Sequence, residues 1–537
     1  MFVRMANGRW RSAWALAGLW AVATLIDLDK PFHVDDSFHL EMAEWIMEHP
    51  TAPMSGKITW DDGRVPMHMA NQPPGFYYAI ALTGHLFGFR EVPMHLMRSL
   101  FTLLAIVCFY RLARRCCAER ALVLTALLAL GPAFLVNQGL MVDMPLLALH
   151  LLFFDLLLRG PNGLRWLEVA LAGVVLSLAM FVKYTTVPLL ALFPLALVLR
   201  KEQRLLGWCA LPVLAILAWS WANVHEFGHP HLLSRGGENL VLEKVLRRFG
   251  ALICCLGALA PFTLLFIGGL VPAWRKHAAR SLGAFCLCAA ALGLSVFFGS
   301  VSEDVSDSIL FWAFLANGAL LLIIFTRIAA RTGSIAWADR LVLTLWLAMI
   351  SLLVVVFAPT MGSRHLLLVL PPLLLICASA MEGLSARTTG LAIGMTAALG
   401  VSLVLADKAG ARFFQRGAQQ ASAELRAYRP LWSVGLWGWQ WYSRREGMLI
   451  YPDDPHALRP VAVNDILVKA EGVHGQELEP GMRLHAFRTW TEPRPWWTFL
   501  YVADMGSMYT SDLGRLPWRF DRHAHNTITA YRVMATP

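Results

Sequence analysis

Long apolar runs separated by short polar junctions fill the chain as far as Ala406, where the pattern changes. A bilayer-spanning helix needs roughly 20 largely apolar residues, and about thirteen such stretches are expected. They lie at 11–28, 93–112, 121–138, 143–158, 164–182, 186–199, 205–224, 250–273, 281–299, 309–326, 340–357, 364–382 and 388–406. The first junction on the far side of the membrane, 29–92, is long. Within it Phe38, Met42, Trp45 and Ile46 recur at helical spacing, which predicts an amphipathic helix on the membrane surface. Thr59-Trp60-Asp61-Asp62-Gly63 is a turn signal. Beyond Ala406 charges and turn formers increase. Leu449–Tyr451, Asp465–Ala470, Met482–Trp490, Trp497–Val502 and Thr527–Val533 read as short strands, and Gln415–Tyr428 as a helix. The expected fold is a mainly α polytopic membrane protein with outer juxtamembrane helices, residues 1–406, followed by a soluble α+β domain, residues 407–537.

Composition agrees. Of 537 residues 57% are hydrophobic and 15% charged, with a mean hydropathy of +0.53; soluble domains carry roughly 25% charged residues. The net charge of +10 fits basic cytoplasmic loops and gives no reason to expect nucleic acid as a partner. Arg4, Arg9 and Arg11 precede the first apolar stretch, which lacks a cleavage pattern and reads as a retained anchor. Arg111, Arg114, Arg115 and Arg120, then Arg159 and Arg165, then Arg200, Lys201 and Arg204, then Arg275, Lys276 and Arg280, then Arg327, Arg331 and Arg340 occupy every second junction. The positive-inside rule makes these cytoplasmic, with the N-terminus inside and the C-terminal domain outside. The nine cysteines lie in apolar stretches or beside basic loops and imply no disulfide framework.

This threading sorts the polar residues. Asp35, Asp36, Asp143, Lys183, His225, Glu303, Asp304 and Arg364 all fall on the outer side, from distant parts of the chain. Ionisable groups at a membrane boundary are costly and usually functional. Asp35-Asp36 directly follows the first span; one carboxylate there can act as a general base, or both can cap the following helix. Asp143 can cap a span or reach into a site. Lys183 can snorkel outward or bind an anion. Arg364 opens the twelfth stretch and suits a phosphate, or an anchoring role. In Asn71-Gln72-Pro73-Pro74-Gly75-Phe76-Tyr77-Tyr78 the prolines fix a bend. Gln72, Tyr77 and Tyr78 there are either loop anchors or substrate contacts. His225-Glu226-Phe227-Gly228-His229 is formally HExxH, the zinc-protease pattern. Pro230 follows at once and biases His229 away from helix; Glu238 and Glu243 are candidate third ligands.

Taken in order, these segments resemble the GT-C glycosyltransferases, in particular the bacterial branch related to protein O-mannosyltransferases and to the aminoarabinose transferase of lipid A. Asp35-Asp36 with Glu41 is similar to the family's Asp-Glu followed by a later carboxylate, Asp36 replacing the usual Glu. Pro73-Pro74 with its aromatics, Val142-Asp143-Met144-Pro145, Phe181-Val182-Lys183-Tyr184, Phe227-Gly228-His229-Pro230 and Arg364-His365-Leu366-Leu367 with Pro371-Pro372 resemble further family segments. The resemblance implies a GT-C-type bundle and an inverting transfer of sugar from a polyprenyl-phosphate donor. The acceptor would be a hydroxyl of a lipid, a glycan or a protein, on the outer face of the bacterial inner membrane. It assigns Asp35 and Asp36 to catalysis and Lys183 and Arg364 to the donor phosphate. Asp143, Glu41, Gln72, Tyr77, Tyr78 and His365 would contact substrate. Some relatives bind a divalent metal near the donor, for which His68, His225, His229 and His231 are candidate ligands; no other cofactor is implied. The competing classes are a lipid or solute transporter, which would favour a midplane site between repeated halves, and the HExxH protease.

Overall fold

The computed structural model describes residues 2–60, 63–70, 72–158, 163–234, 241–331, 335–358, 361–452, 454–493, 498, 500–501, 508–509, 513–521, 523 and 526–536. Every predicted apolar stretch is largely helical, but many helices are short or broken. Among the described residues six are long and apolar enough to cross a bilayer: Glu91–Cys116, Gln203–Phe227, Ala278–Phe297, Glu303–Ala329, Trp337–Phe357 and Ala386–Glu424. Leu242–Leu259 with Thr263–Gly269, bent by 97°, makes a seventh if counted as one span. The chain is a multi-pass membrane protein.

The breaks have local causes. The stretch 121–138 divides at Gly131-Pro132 into helices Ala121–Ala129 and Pro132–Val136, since proline starts a helix readily but cannot continue one. The stretches 164–182 and 186–199 are separate helices, Trp166–Val182 and Leu189–Leu199, parted at Lys183, which is extended at φ −162°, with Pro188 before the second. The stretch 364–382 begins with the four-residue helix Ser363–Leu366 and restarts at Leu370 with two prolines in its first turn. Non-helical backbone at such depth requires protein around it, and Gly131, Lys183 and Gly362 are accordingly packed against neighbours.

Helix Asp143–Leu157 orients the bundle. Asp143 stands at its start and Asp155 near its end; Asp155 pairs with Arg111 (3.0 Å) and Arg115 of the basic junction. The Asp143 end is therefore the end away from that basic side.

The expected amphipathic helix runs over Asp36–Glu48, with Phe38, Met42 and Ile46 buried within the protein. The predicted turn is a hairpin, Lys57–Trp60 pairing antiparallel with Gly63–Pro66; Asp61 and Asp62 lie outside the described residues. The C-terminal region forms a five-stranded sheet in the order Leu449–Ile450, Leu431–Val434, Ile466–Glu471, Thr527–Ala535, Arg483–Thr491. Its first two pairings are parallel and the others antiparallel. Strand Leu431–Val434 and helix Trp437–Arg445 are additions to the expected elements, their tryptophans having masked the strand pattern. Of the expected strand at 497–502 the structure describes Leu500–Tyr501, paired with Arg519–Phe520; Trp497 and Val502 lie outside the described residues. Residue 407 falls inside the unbroken helix Ala386–Glu424, which packs on the sheet at Gly417, where a Cβ would overlap Ile528.

Small residues set one tight crossing. A Cβ on Gly257 would overlap the Phe314 carbonyl, and one on Gly318 the Ile253 carbonyl, so helices Leu242–Leu259 and Glu303–Ala329 touch backbone to backbone. Gly257→Ala or Gly318→Ala should cost about 3 kcal/mol or more, because backbone must move to admit the methyl. Gly390, with nothing within 4 Å of its would-be Cβ, is the control. Thermal unfolding in detergent should show Gly390→Ala unchanged or slightly raised and both other variants clearly lowered.

Candidate functional site

Four charged side chains meet where the broken spans end. Arg364 Nη1 donates to Asp35 Oδ2 at 2.7 Å, and Lys183 Nζ donates to Asp143 Oδ1 at 2.7 Å. The two pairs also interact with each other: Asp143 with Arg364, and Lys183 with Asp35. The Asp35 and Arg364 side chains are 16% and 19% exposed, against 2% for Asp143 and 10% for Lys183. One pair thus faces outward and the other backs it. Lys183 does not snorkel; it is buried and paired.

Local backbone accounts for the placement. Asp35 precedes helix Asp36–Glu48, yet its side chain makes no capping bond and is turned to Arg364. Val34, just before it, sits at φ +51°. That conformation is strained for a β-branched residue, and such strain persists only where surroundings enforce it. Asp36 does different work. Its Oδ2 accepts from the His33 amide at 3.0 Å and its Oδ1 from the Leu140 amide at 2.8 Å, fixing the start of the helix against the turn before Asp143. Gly139 allows this approach; a Cβ there would lie 3.1 Å from Asp36 Oδ1. Arg364 is set by its own turn: the Ser363 amide donates to the Met508 carbonyl at 2.7 Å, Asn137 Nδ2 donates to Ser363 Oγ at 3.1 Å, and the Gly362 amide donates to His365 Nδ1 at 3.1 Å. His365 is buried and interacts with Lys183, Arg364 and Asp143.

The remaining expected contacts divide. Tyr77 is buried, its ring 5.0 Å from that of His39. Tyr78 points elsewhere and donates to the Pro50 carbonyl at 2.6 Å, a loop anchor. Gln72 is half-buried ahead of helix Gly75–Phe87, whose Gly75 lies against the Phe181 carbonyl beside the Lys183 break. Glu41 is not gathered with the four charges. It accepts from the Thr59 amide at 3.0 Å and from Gln440, with Arg444 3.9 Å away, and joins the long loop 29–92 to the C-terminal region.

The HExxH reading fails on geometry. Helix Ala210–Phe227 ends before the second histidine because Gly228 takes the left-handed conformation at φ +80°. His225 stacks on Trp221, while His229 leaves the helix and approaches His68, ring centroids 5.7 Å apart. His68, His225 and His229 therefore do not form one ligand set, and His231 is hydrogen-bonded to Tyr184 at 2.8 Å. Among the described residues no group of three or more His, Cys, Asp or Glu could hold a metal ion; Glu238 lies outside them.

Residues not singled out in the sequence complete the site. His39 follows Asp35 by one helical turn, donates from Nδ1 to the Leu140 carbonyl at 3.0 Å and interacts with Asp35, Asp143 and Arg364. Burial lowers its pKa to about 4, so it is neutral at pH 7 with Nε2 unprotonated. Behind it lies a second buried cluster. Lys30 pairs with Asp407, Tyr509 donates to Asp407 Oδ2 at 2.7 Å, and His33 Nε2 lies 3.8 Å from Asp407 Oδ1. A Cβ on Gly362 would overlap the Tyr509 carbonyl, so this segment underlies the Arg364 turn.

Residues 71–221 match the model of the family described as dolichyl-phosphate-mannose-protein mannosyltransferase. No curated protein matches the chain. Among solved structures, ArnT from Cupriavidus metallidurans bound to undecaprenyl phosphate superposes with a TM-score of 0.53 at 13% identity, over 97% of each chain. Its apo form gives 0.43 at 17% identity over 98% of each. The Archaeoglobus fulgidus oligosaccharyltransferase in complex with Zn and sulfate gives 0.44 at 12% identity, over 83% of this chain and 58% of that one. The family match over residues 71–221 and the superposition on undecaprenyl-phosphate-bound ArnT bear out the resemblance to GT-C glycosyltransferases read from the motifs, and the fold is ArnT-like.

Burial raises the Asp36 carboxyl from 3.8 to about 7, although the two backbone amides favour its charged form. The folded state therefore holds a proton that the unfolded state releases. Its stabilising share is present below the unfolded value and is lost as pH rises through about 7. Unfolding followed across this range should show stability declining with pH, and Asp36→Asn should flatten that decline. An identical slope in both proteins would remove Asp36 as its source.

Proposed function

We propose that the chain is a glycosyltransferase that moves a sugar from a polyprenyl-phosphate donor to an acceptor hydroxyl, with inversion at the anomeric carbon. The observation that carries this reading is the partly buried Asp35–Arg364 pair backed by the more deeply buried Lys183–Asp143 pair. It puts a carboxylate and two cations within one small region of an ArnT-like fold. Arg364 offers a planar fork suited to two phosphate oxygens, and Lys183 a point charge. As the phosphate takes up Arg364, Asp35 is released from its partner. Asp35 then accepts the acceptor hydroxyl's proton while that oxygen attacks the anomeric carbon. The bond from that carbon to phosphate oxygen breaks, and polyprenyl phosphate leaves with the charge that Lys183 and Arg364 stabilise. Asp36 fixes the helix that carries Asp35, and neutral His39 orients the same turn. His365 and Tyr77 border the region; Asp143 holds Lys183.

The placement we propose is the outer face of a bacterial inner membrane. The N-terminus would be cytoplasmic, residues 1–406 would form the membrane module and 407–537 a periplasmic domain. Its support is the basic junction paired with Asp155 at the opposite end of the helix that starts with Asp143. The acceptor, by the same chemistry, is a lipid, glycan or protein hydroxyl.

Asp35→Asn should abolish transfer yet keep donor affinity equal or tighter, since Arg364 loses a competing carboxylate. Full activity in this variant, measured by mass spectrometry of transferred sugar, would remove Asp35 as the base.

Donor binding is tested separately. Arg364→Met should weaken polyprenyl-phosphate binding roughly ten- to hundredfold, the loss of one buried charge-assisted contact of about 1.5–3 kcal/mol. Arg364→Lys should recover part of it. Lys183→Met should act similarly, and pairing it with Asp143→Asn separates lost phosphate contact from an unpaired buried carboxylate. Unchanged affinity in folded Arg364→Met and in the Lys183 double variant would dissociate both cations from the phosphate.

A further inference from the structure

A second basic region lies away from the four charges. A cavity of about 510 Å³ opens between the outer half of helix Ala386–Glu424 and the end of strand Arg483–Thr491. Lys408, Arg412 and Arg416 line it at intervals of four residues, so they form one stripe along the helix. Leu405 and Phe413 supply apolar lining on the same face, and Trp490 closes the strand side. Lys408 and Arg412 share one carboxylate, Asp29. Arg416 is exposed. Glu492, also in the lining, accepts from Asn526 at 2.8 Å. Three cations thus face two carboxylates, and the stripe keeps a positive excess. Asp407, one residue earlier, faces the opposite way into the buried Lys30–Tyr509 cluster.

We propose that this groove binds the phosphate head group of an anionic phospholipid of the surrounding leaflet. The apolar stretch 388–406 ends where Lys408 begins, which sets the stripe at the level of lipid head groups. A phosphate there meets the guanidinium groups of Arg412 and Arg416, and an acyl chain continues past Leu405 on the apolar side. A zwitterionic head group would bring a cation into the positive groove, so net anionic lipid is favoured. The bound lipid would join helix Ala386–Glu424 to the edge of the sheet.

The test uses the full chain in detergent with phosphatidylglycerol or phosphatidylcholine added, and native mass spectrometry to count retained lipid. Phosphatidylglycerol should be retained preferentially. Arg412→Gln/Arg416→Gln should lower that preference by about fivefold for each charge removed. Arg416→Gln alone, which leaves the Asp29 pairs intact, should give one such step, and Arg483→Gln, outside the groove, none. Equal retention of the two lipids by the unaltered protein, or an undiminished preference in folded Arg416→Gln and the double variant, would overturn the proposal. So would competition by glycerol 1-phosphate as strong as by the lipid, which would mark a site for soluble phosphate. The readout needs no turnover, so its failure is separable from failure of the sugar-transfer reading.

Discussion

Four charges placed where spans end can persist only if each meets an opposite charge. Desolvating a lone carboxylate or ammonium at such a place costs several kcal/mol, and a membrane boundary offers little solvent to relieve it. The two ion pairs, Asp35–Arg364 and Lys183–Asp143, meet that constraint with no net charge. Much of the neighbouring structure follows from keeping them in register. Asp36 clamps the turn before Asp143, Ser363 is held by Met508 and Asn137, and Lys183 interrupts its helix to reach inward.

The broken spans are the means of positioning. A continuous helix presents a side chain only sideways, whereas a break lets an extended residue enter the bundle along the axis. Lys183 is such an extended residue, while Arg364 sits on the four-residue helix Ser363–Leu366 before the next break; in each case proline nearby prevents one continuous helix from forming. The same breaks explain why fewer helices are long enough to span than the hydropathy pattern suggests.

Hydropathy and charge made the helical bundle and the candidacy of Asp35, Asp143, Lys183 and Arg364 legible, because each of those signals is local. The strands near 449, 466–470, 483–490 and 527–533 were legible from strand-forming residues between turn formers, whereas the two-residue strand Arg519–Phe520 was not. What stayed hidden depends on distant partners. Lys30 and Asp407 are 377 residues apart in the chain, and nothing around either names the other. His39 looked like an ordinary member of an amphipathic helix; its hydrogen-bond partner, the Leu140 carbonyl, is 101 residues away in the chain. Asp36 looked equivalent to Asp35; only the two amides it accepts separate them. HExxH failed through one glycine whose left-handed turn ended the helix too early.

Helix Ala386–Glu424 has a consequence for how this protein can vary. Its 39 residues at about 1.5 Å each make a rod of about 58 Å, nearly twice the roughly 30 Å hydrocarbon layer. The projecting half carries Asp407 toward the inside and Gly417 against the sheet. Adding one residue before Asp407 would lift everything beyond it by about 1.5 Å and rotate it by about 100°. Asp407 would swing away from Lys30, and Gly417 from Ile528. The rod is thus a ruler whose length is fixed in whole residues. Insertions and deletions should be confined to the loops around it, while the number of residues from Ser385 to Gly417 is held constant.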